Sequence, residues 1–561
     1  MAMVVNISMQ RQTITKKETQ ILQDDGAIKD TPLDGEDNKH IPQDDDLKAE
    51  PLEGEGEHVA ALTQWDVFES EFKGRPRLPN VIDNDLEIMS HTKTQLLEYF
   101  PGSNADGLYL TWSLHVNTKG DLLRAMANDL LMIICGDVKL KGNLGEKGTY
   151  PIMAEPVVAD SDISLAEWLD KISTYTNKAI KLNFYDTDSL HPAFEVLQTL
   201  QYQIHAPLIL RADILVGPNG DTNKMVNGVN FISDANGLFP NSIVSLGWRT
   251  HWTTDSKEVQ YTWDMVIDMA KYCTRLHQPI SFSVRAVFAR KSIRQLKWLV
   301  SLSSKFTITI FSPDYDIVSM SELSIFRRSL PVHRVLYDVP VSFIAALREV
   351  QPNTLQTPGE KMERNLWHPQ PFDTKSFVFL GEDIIAFTGP NSWLTSKMQY
   401  RAELETGKQV EISGIVQFAM ASEQITTDQS KLDIHIRSTG VDPPEPDSVL
   451  GVRIEIVSDG TLRVSSHNLA KAGTYNPQTT ATIPSHECYY FHIVDAGETA
   501  PITVNIKWAD CEAGVTTTEH NVQLSLTVPY EATQEEEFYI TINGSNNIHG
   551  AATLLENLVV R

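Results

Sequence analysis

Charged and amide side chains recur inside four short apolar segments of this sequence, ICGDVK, IKLNF, LILRADI and FSVRAVF. Within a β-strand successive side chains point to opposite faces, so the polar members of these segments are predicted to share one face of a sheet. Burying an ionisable group costs several kcal/mol unless it is paired. The pattern therefore predicts a ligand-binding site or a network of ion pairs, with the aspartates bonded to the lysine or to the second arginine. The side chains concerned are Asp137, Lys181, Asn183, Asp213 and Arg285.

The elements that must position these side chains are eight apolar segments between Leu108 and Val339, separated by helical patterns. Near-continuous apolar strands that alternate with helices are typical of a parallel sheet. Eight such units predict a closed, TIM-like (β/α)8 barrel, in which functional groups lie at the C-terminal ends of the strands. An open doubly wound sheet is the alternative, but no glycine-rich phosphate loop follows the first strand. The eight segments are LYLTWSLHV, LMIICGDVKL, AIKLNF, PLILRADIL, SIVSLGW, ISFSVRAVF, FTITIF and RVLYDV.

The rest of the chain divides into regions that differ in composition and hydrophobic periodicity. Residues 1–60 are rich in acids, Gly and Pro, which is typical of a disordered acidic tail, and residues 61–350 hold the predicted barrel. Residues 351–370 are predicted to be a linker. Residues 371–561 lack helical periodicity and predict an all-β sandwich or jelly roll, which resembles concanavalin-like and carbohydrate-binding modules. Its clearest hairpin is VRIEIVSDGTLRV, with a turn at Asp459-Gly460.

The amino-acid composition limits which classes of binding partner and which cellular compartment are expected. The formal net charge of −26 disfavours nucleic acid, and no apolar run is long enough to span a bilayer. Four cysteines without a CxxC motif predict neither a disulfide scaffold nor a zinc site. The N-terminus shows no basic-then-apolar signal peptide, which favours a cytoplasmic location.

A set of short motifs resembles the menorin family over Leu108 to Val339: TWSLHVN, GDV, PIMAEP, KLNF, RADILVGPNG, SLGW, FSVRA and LYDV. The resemblance implies a barrel related to phosphodiesterases of the phospholipase C-like type. In that superfamily carboxylates hold a divalent metal, and two histidines act as acid and base on a phosphodiester. Hard oxygen ligands suit Mg²⁺ or Ca²⁺, which neutralise phosphoryl charge while histidine moves protons.

The sequence departs from the family pattern at the implied catalytic positions. An ungapped match to the usual TWYHAAN places Leu114 at the first histidine, and His115 would point to the other face unless a bulge re-aims it. The usual E-x-D pair is Cys135-Gly136-Asp137, which leaves Asp137 as a weak candidate metal ligand. Glu155 replaces the second histidine, and Asn183 replaces the third carboxylate.

These departures favour a barrel that has lost catalysis and acts as a binding or interaction protein, with no cofactor assigned. The partner would be a protein or a glycan, and the ligand a small molecule of the phosphodiester type. One alternative is an active metal-dependent phosphodiesterase that uses His115 as acid and Glu155 as base, with Mg²⁺ or Ca²⁺ on Asp137. Another is an extracellular adhesion or signalling protein, as the resemblance allows. The predicted ligand-binding residues are Lys181, Asn183, Asp213, Trp248 and Arg285.

Overall fold

The computed structural model describes most of the chain from Gln95 onward, and these residues belong to one compact unit, Phe72–Arg561. Residues 1–94 are not described, so the predicted acidic tail lies outside the described residues. The other undescribed positions are 159, 174–176, 223–224, 254–258, 275, 314, 353–362, 404, 420–429, 439–448, 450, 468–477, 486–487, 510–520, 531–537 and 547–550.

Eight parallel strands form a nearly closed barrel, which confirms the predicted fold class. Their order is β1-β2-β4-β5-β6-β7-β8-β9, and the short β3 pairs antiparallel with β2. Every residue of β4 and β7 is buried, as expected for strands covered on both faces. The strands are β1 (Trp112–Ser113), β2 (Ile133–Lys141), β3 (Tyr150–Met153), β4 (Ala179–Phe184), β5 (Leu208–Val216), β6 (Ile243–Arg249), β7 (Ile280–Arg285), β8 (Phe306–Phe311) and β9 (Val335–Asp338).

Helices cover the outside of the barrel and follow the predicted alternation with the strands. Local sequence fixes some of their starts, because a side-chain oxygen that caps the first turn satisfies an otherwise unpaired N–H group. Thr118 caps the helix that begins at Lys119, and Asn227 caps the helix that begins at Gly228. The described helices are α1 (Gln95–Tyr99), α2 (Lys119–Ala127), α3 (Leu165–Ser173), α4 (Leu190–Leu200), α5 (Gly228–Leu238), α6 (Trp263–Cys273), α7 (Ala286–Ala289), α8 (Ile293–Ser301), α9 (Met320–Ser329) and α10 (Val341–Arg348).

The C-terminal region is a sandwich of two seven-stranded antiparallel sheets, as predicted. One sheet has the order β10-β13-β22-β15-β16-β17-β18 and the other β11-β12-β23-β14-β19-β20-β21. The first strand begins at Trp367, four residues before the predicted start of the sandwich. The strands are β10 (Trp367–Pro371), β11 (Phe377–Leu380), β12 (Ile384–Thr388), β13 (Ser392–Ser396), β14 (Val410–Ala419), β15 (Lys431–Ser438), β16 (Gly451–Val457), β17 (Thr461–His467), β18 (Gln478–Thr482), β19 (Cys488–Asp495), β20 (Ile502–Ala509), β21 (Asn521–Leu526), β22 (Tyr539–Ser545) and β23 (Ala552–Val560).

The predicted hairpin in the sandwich forms between β16 and β17. Val452, Ile454 and Ile456 are buried in the core, which confirms the alternation seen in the sequence. The turn places Gly460 at a φ of +89°, a left-handed conformation that glycine adopts without steric cost. Cys488, at the start of β19, is disulfide-bonded, a bond that the cysteine count did not lead us to expect.

The sandwich contacts the barrel through α8 and the turn between β11 and β12. The Trp298 indole packs edge-to-face on Phe379, with ring centroids 6.1 Å apart. The Arg364 guanidinium donates to the carbonyl oxygens of Ser301 (2.7 Å) and Gly381 (3.1 Å), which ties the end of α8 to that turn. This contact lies toward the N-terminal ends of the barrel strands, because α8 ends at Ser301, just before β8.

We expect Trp298→Ala to uncouple the two domains. The indole is 2% exposed, and truncating a buried tryptophan typically costs about 3–5 kcal/mol. Differential scanning calorimetry should then resolve two transitions, at least one of them at a lower temperature than in the parent protein. Lys297→Ala, at the exposed neighbouring position, is the control and should leave the thermogram unchanged. An unaltered thermogram for Trp298→Ala would show that the contact contributes little.

Candidate functional site

Asp137, on the interior face of β2, is the centre of a polar cluster at the C-terminal end of the barrel. Its carboxylate is fully buried and accepts hydrogen bonds on both oxygens. Oδ2 accepts from the Asn117 amide (2.8 Å) and contacts the His115 ring at Nδ1 (2.7 Å). Oδ1 accepts from the Asn183 amide (2.9 Å) and the Tyr185 hydroxyl (3.0 Å). Burial alone would raise the pKa of Asp137, but the bonds from His115, Asn117 and Asn183 outweigh it and lower that pKa.

His115 reaches this cluster because its backbone adopts a left-handed conformation with a φ of +52°. This conformation is uncommon outside glycine and turns the imidazole toward Asp137 instead of the opposite face. Leu114, the residue aligned with the family histidine, is instead 48% exposed. The His115 side chain is 55% exposed, and Nδ1 lies 3.8 Å from Glu155 Oε1. The sequence had allowed for such re-aiming by a bulge, and the backbone achieves it with one left-handed residue.

We expect the imidazole pKa of His115 to lie above its ordinary value of 6.5, chiefly because its Nδ1 is hydrogen-bonded to the Asp137 carboxylate. Nuclear magnetic resonance titration of the ring protons would measure it. In Asp137→Asn the pKa should fall, because the bonded negative charge is gone. Glu155→Gln, which removes a weaker and more distant charge, should lower it less. An equal fall in both variants would contradict the assignment of Asp137 as the main partner.

The other predicted polar residues form ion pairs, but with different partners from those predicted. Lys181 Nζ lies 2.9 Å from Asp338 Oδ2 inside the barrel. Arg211 bonds to Asp213 two residues along the same strand, at 2.7 Å. Neither Lys181 nor Arg285 binds Asp137 or Asp213, so the predicted pairing was wrong. The physical reason is that strand parity fixes only the face of the sheet on which a side chain lies. The stagger between strands, and in one case a loop, determine which charged groups face each other.

Arg285 pairs with a loop carboxylate. Its Nε and Nη2 donate to Asp316 at 2.8 and 2.6 Å, and Nη1 donates to the Thr250 carbonyl at 3.3 Å. Burial lowers the pKa of Arg285, but the bonds and charge of Asp316 outweigh burial and raise it. For Lys181, likewise, the attraction of Asp338 outweighs the effect of burial and raises the pKa. Each of these cations is therefore charged and neutralised by the chain itself.

Trp248 does not line the mouth of the barrel, so its prediction as a ligand-binding residue was wrong. Its neighbour Gly247 faces the interior, since a Cβ there would lie 2.1 Å from Asp213 Oδ1. By the alternation of the strand, Trp248 points outward, where it is 1% exposed and packs on Tyr261 at 4.9 Å. Its indole donates to the Met265 carbonyl at 3.3 Å. The Trp248 side chain therefore packs in the apolar layer between the barrel strands and the surrounding helices.

Asp137 is not arranged to hold the divalent metal that the family resemblance implies. Four side-chain partners already occupy its two oxygens, and Asn183 presents its amide nitrogen, not its oxygen. Among the described residues, no group of three or more His, Cys, Asp or Glu side chains is placed to hold a metal ion. The site as built does not fit Mg²⁺ or Ca²⁺, which require several free oxygen ligands.

Sequence reasoning missed several members of the site. Asn117 ends the TWSLHVN motif, and Tyr185 directly follows KLNF, so both could have been identified from the motifs. Asp338 is the third residue of the LYDV motif, so it could have been identified in the same way. Asp316 lies in the loop after β8 and carries no local signal, because only the folded loop brings it to Arg285.

Two cavities lie away from this cluster. One, of about 340 Å³, is at the opposite end of the barrel and is lined by residues that include Ile243, Gln278 and Thr307. The other, of about 240 Å³, lies where the barrel meets the sandwich, between residues such as Trp298 and Glu382. The polar cluster around Asp137 is lined by none of the residues named for these two cavities, and its chemistry is what distinguishes it.

The chain is similar to "Protein FAM151B" of Homo sapiens, with 34% identity over 248 residues, which covers 44% of this chain and 88% of that protein. It is also similar to the winged bean acidic lectin complexed with methyl-alpha-D-galactose, at 8% identity and a TM-score of 0.24, covering 34% of this chain and 90% of the lectin. Peanut lectin with a 9mer peptide matches at 11% identity and a TM-score of 0.25, covering 36% and 96%.

The family models account for most of the described residues. The Menorin N-terminal domain matches residues 106–343, which hold the barrel. The Menorin C-terminal domain matches residues 364–556, which hold the sandwich. Together they cover well over half of the sequence, so the chain belongs to the menorin family.

Proposed function

We propose that this menorin is a binding protein whose barrel no longer performs metal-dependent phosphodiester chemistry. The observation that carries the proposal is the complete occupation of Asp137 by side-chain partners from within the chain. A metal ligand needs free lone pairs directed at the ion. Binding a cation here would require four hydrogen bonds to break at a fully buried carboxylate.

The neutralised cations of the mouth support the same proposal. Phosphodiester enzymes stabilise developing negative charge with unpaired cations or metal ions. Lys181, Arg211 and Arg285 are each held by a carboxylate of this chain. These three cations are therefore not free to stabilise the transition state of such a reaction.

Two buried acceptors bear on the kind of ligand that would suit the barrel. Asn183 Oδ1 and Asp338 Oδ1 have no hydrogen-bond partner among the described residues, and both oxygens are shielded from solvent. An unsatisfied buried acceptor costs about 1–3 kcal/mol, so a donor that gains access to it is favoured. The hydroxyl or amino group of a small ligand that enters the barrel would meet this requirement better than a phosphate, which offers acceptors.

Isothermal titration calorimetry and turnover assays on the full chain test the proposal. We expect no saturable heat with Mg²⁺ or Ca²⁺ at millimolar concentration, and no hydrolysis of glycerophosphodiesters or lysophospholipids. Metal-dependent turnover that is abolished by Asp137→Ala would overturn it. A folded variant, checked by circular dichroism, is required for that comparison, and Asp137→Asn provides a second one of nearly equal volume.

A rearranged phosphodiesterase is the second candidate, because the His115 pair remains chemically capable of proton transfer. Its imidazole is half-exposed, and Nδ1 is bonded to Asp137, which leaves Nε2 for a substrate. Glu155 Oε1 lies 3.8 Å from the same ring and is also accessible. A carboxylate-bonded histidine is a general acid or base in many hydrolases. This candidate predicts turnover that His115→Ala and Glu155→Gln both abolish, and absence of turnover in the parent protein excludes it.

A further inference from the structure

Large apolar side chains are exposed on one side of the rim that surrounds the mouth of the barrel. They come from the loops after β1, β2, β3, β8 and β9, all at the same end of the barrel. Their exposed fractions range from 48% for Leu114 to 90% for Val157. We name these residues the apolar arc: Leu114, Leu144, Val157, Tyr315, Ile317 and Val341.

The loops that carry the arc are neighbours around part of the barrel. Strand β8 pairs with β9, and β1 pairs with β2, which also carries β3. Leu336 of β9 shares a buried cluster with Leu110 and Ile133, which places the two pairs side by side. On the other side of the rim, the exposed side chains in the described parts of the loops after β4, β5 and β6 are polar, including Asp188, Asp221 and His251.

The loop that carries Val157 is held in the shape that exposes it. Lys139 Nζ donates to the carbonyl oxygens of Pro156 (3.0 Å) and Val158 (2.6 Å), on either side of Val157. Lys141 Nζ donates to Asp160 at 2.8 Å a few residues further along. A loop tethered in this way presents its apolar tip without an ordering cost on binding, which is what a preformed contact surface requires.

The charge on the arc is largely balanced, in contrast to the rest of the chain. Asp160 is paired with Lys141, and Asp316, next to Ile317, is paired with Arg285. The whole chain carries a formal charge of −26, so a second copy and an anionic bilayer are both repelled. A strongly basic protein would bind the acidic surfaces elsewhere in preference to this arc. A zwitterionic lipid surface can approach without an electrostatic penalty.

We propose that the apolar arc inserts into the interface of a zwitterionic, phosphatidylcholine-type lipid surface. Isolated apolar tips on separate loops suit shallow insertion among lipid headgroups, where each buried side chain contributes its own transfer free energy. Tyr315 has the combination of apolar ring and polar hydroxyl that is enriched at that depth. Docking in this way turns the mouth of the barrel toward the lipid, whatever ligand the mouth holds.

Flotation of the full chain with phosphatidylcholine vesicles tests the proposal. The parent protein should bind, and binding should persist at 1 M salt because it does not depend on charge attraction. Val157→Asp combined with Ile317→Asp should lower the partition coefficient by at least about tenfold, as expected when two such side chains are no longer transferred. The control combines Leu130→Asp with Tyr202→Asp, at positions 80% and 84% exposed at the opposite end of the barrel, and should bind like the parent.

Four results would overturn the proposal. They are no binding of the parent protein to phosphatidylcholine vesicles, an equal loss in the control variant, binding that requires anionic lipid, and self-association in solution that the arc variant abolishes. The last result would instead identify a second copy of the chain as the occupant. Analytical ultracentrifugation of the parent and arc variants, run alongside the flotation, separates that case from lipid binding.

Discussion

Replacing Asp137 with alanine is expected to lower the free energy of unfolding by about 3–5 kcal/mol. The substitution removes a buried carboxylate and leaves the donors of Asn117, Asn183 and Tyr185 without acceptors in a water-poor interior. Urea unfolding, followed by circular dichroism, measures the change. Asp160→Ala, which breaks an exposed ion pair with Lys141, is the control and should leave the unfolding midpoint close to that of the parent protein.

The contribution of Asp137 should also depend on pH. Its pKa is lower in the folded protein than the ordinary value of 3.8, so its stabilisation is present above that value and is lost as the pH falls through the folded pKa. The pKa of His115 is raised, so its contribution is complete below 6.5 and is lost as the pH rises through the folded pKa. The pair should therefore contribute most in the mildly acidic range between them. A stability profile that is unchanged by Asp137→Asn would contradict the assigned pairing.

The second large effect is expected from Lys181→Met, which should destabilise the barrel by about 3–5 kcal/mol at neutral pH. The side chains of Lys181 and Asp338 are 8% and 6% exposed, and the carboxylate depends on this lysine because its other oxygen has no partner among the described residues. Removing the ammonium leaves a buried charge without compensation. The same urea unfolding measurement, at matched pH, gives the loss.

A double variant separates this explanation from lost packing. Lys181→Met combined with Asp338→Asn removes both charges, so it should recover most of the stability lost in the single variant. Lys141→Met, at a solvent-exposed pair, is the control and should leave the unfolding midpoint close to that of the parent protein. If the double variant is as unstable as Lys181→Met, the uncompensated charge is not the cause.

The barrel could be predicted from sequence because its evidence is local and repeated. Eight apolar strands alternate with helices, and strand parity correctly placed Lys181 and Asn183 in the interior. The pairing of charges could not be predicted in the same way. Asp316 reaches Arg285 from a loop, and the left-handed backbone of His115 has no periodic signal. Strand parity also explains why Trp248 is not placed to bind a ligand in the mouth. Its neighbour Gly247 faces inward, so Trp248 points outward.

The attachment of the sandwich near the end of α8 affects how many partners the chain can bind at the same time. Because that contact lies toward the N-terminal ends of the barrel strands, the described part of the sandwich meets the barrel at the end away from the mouth. If the sandwich holds a partner and the rim contacts a lipid surface, both can be engaged at the same time. Once one of them is bound, the second binding event becomes intramolecular, and its effective concentration is set by the distance between the two sites and not by the bulk concentration. Two contacts that are individually weak would in this way hold the chain in place together.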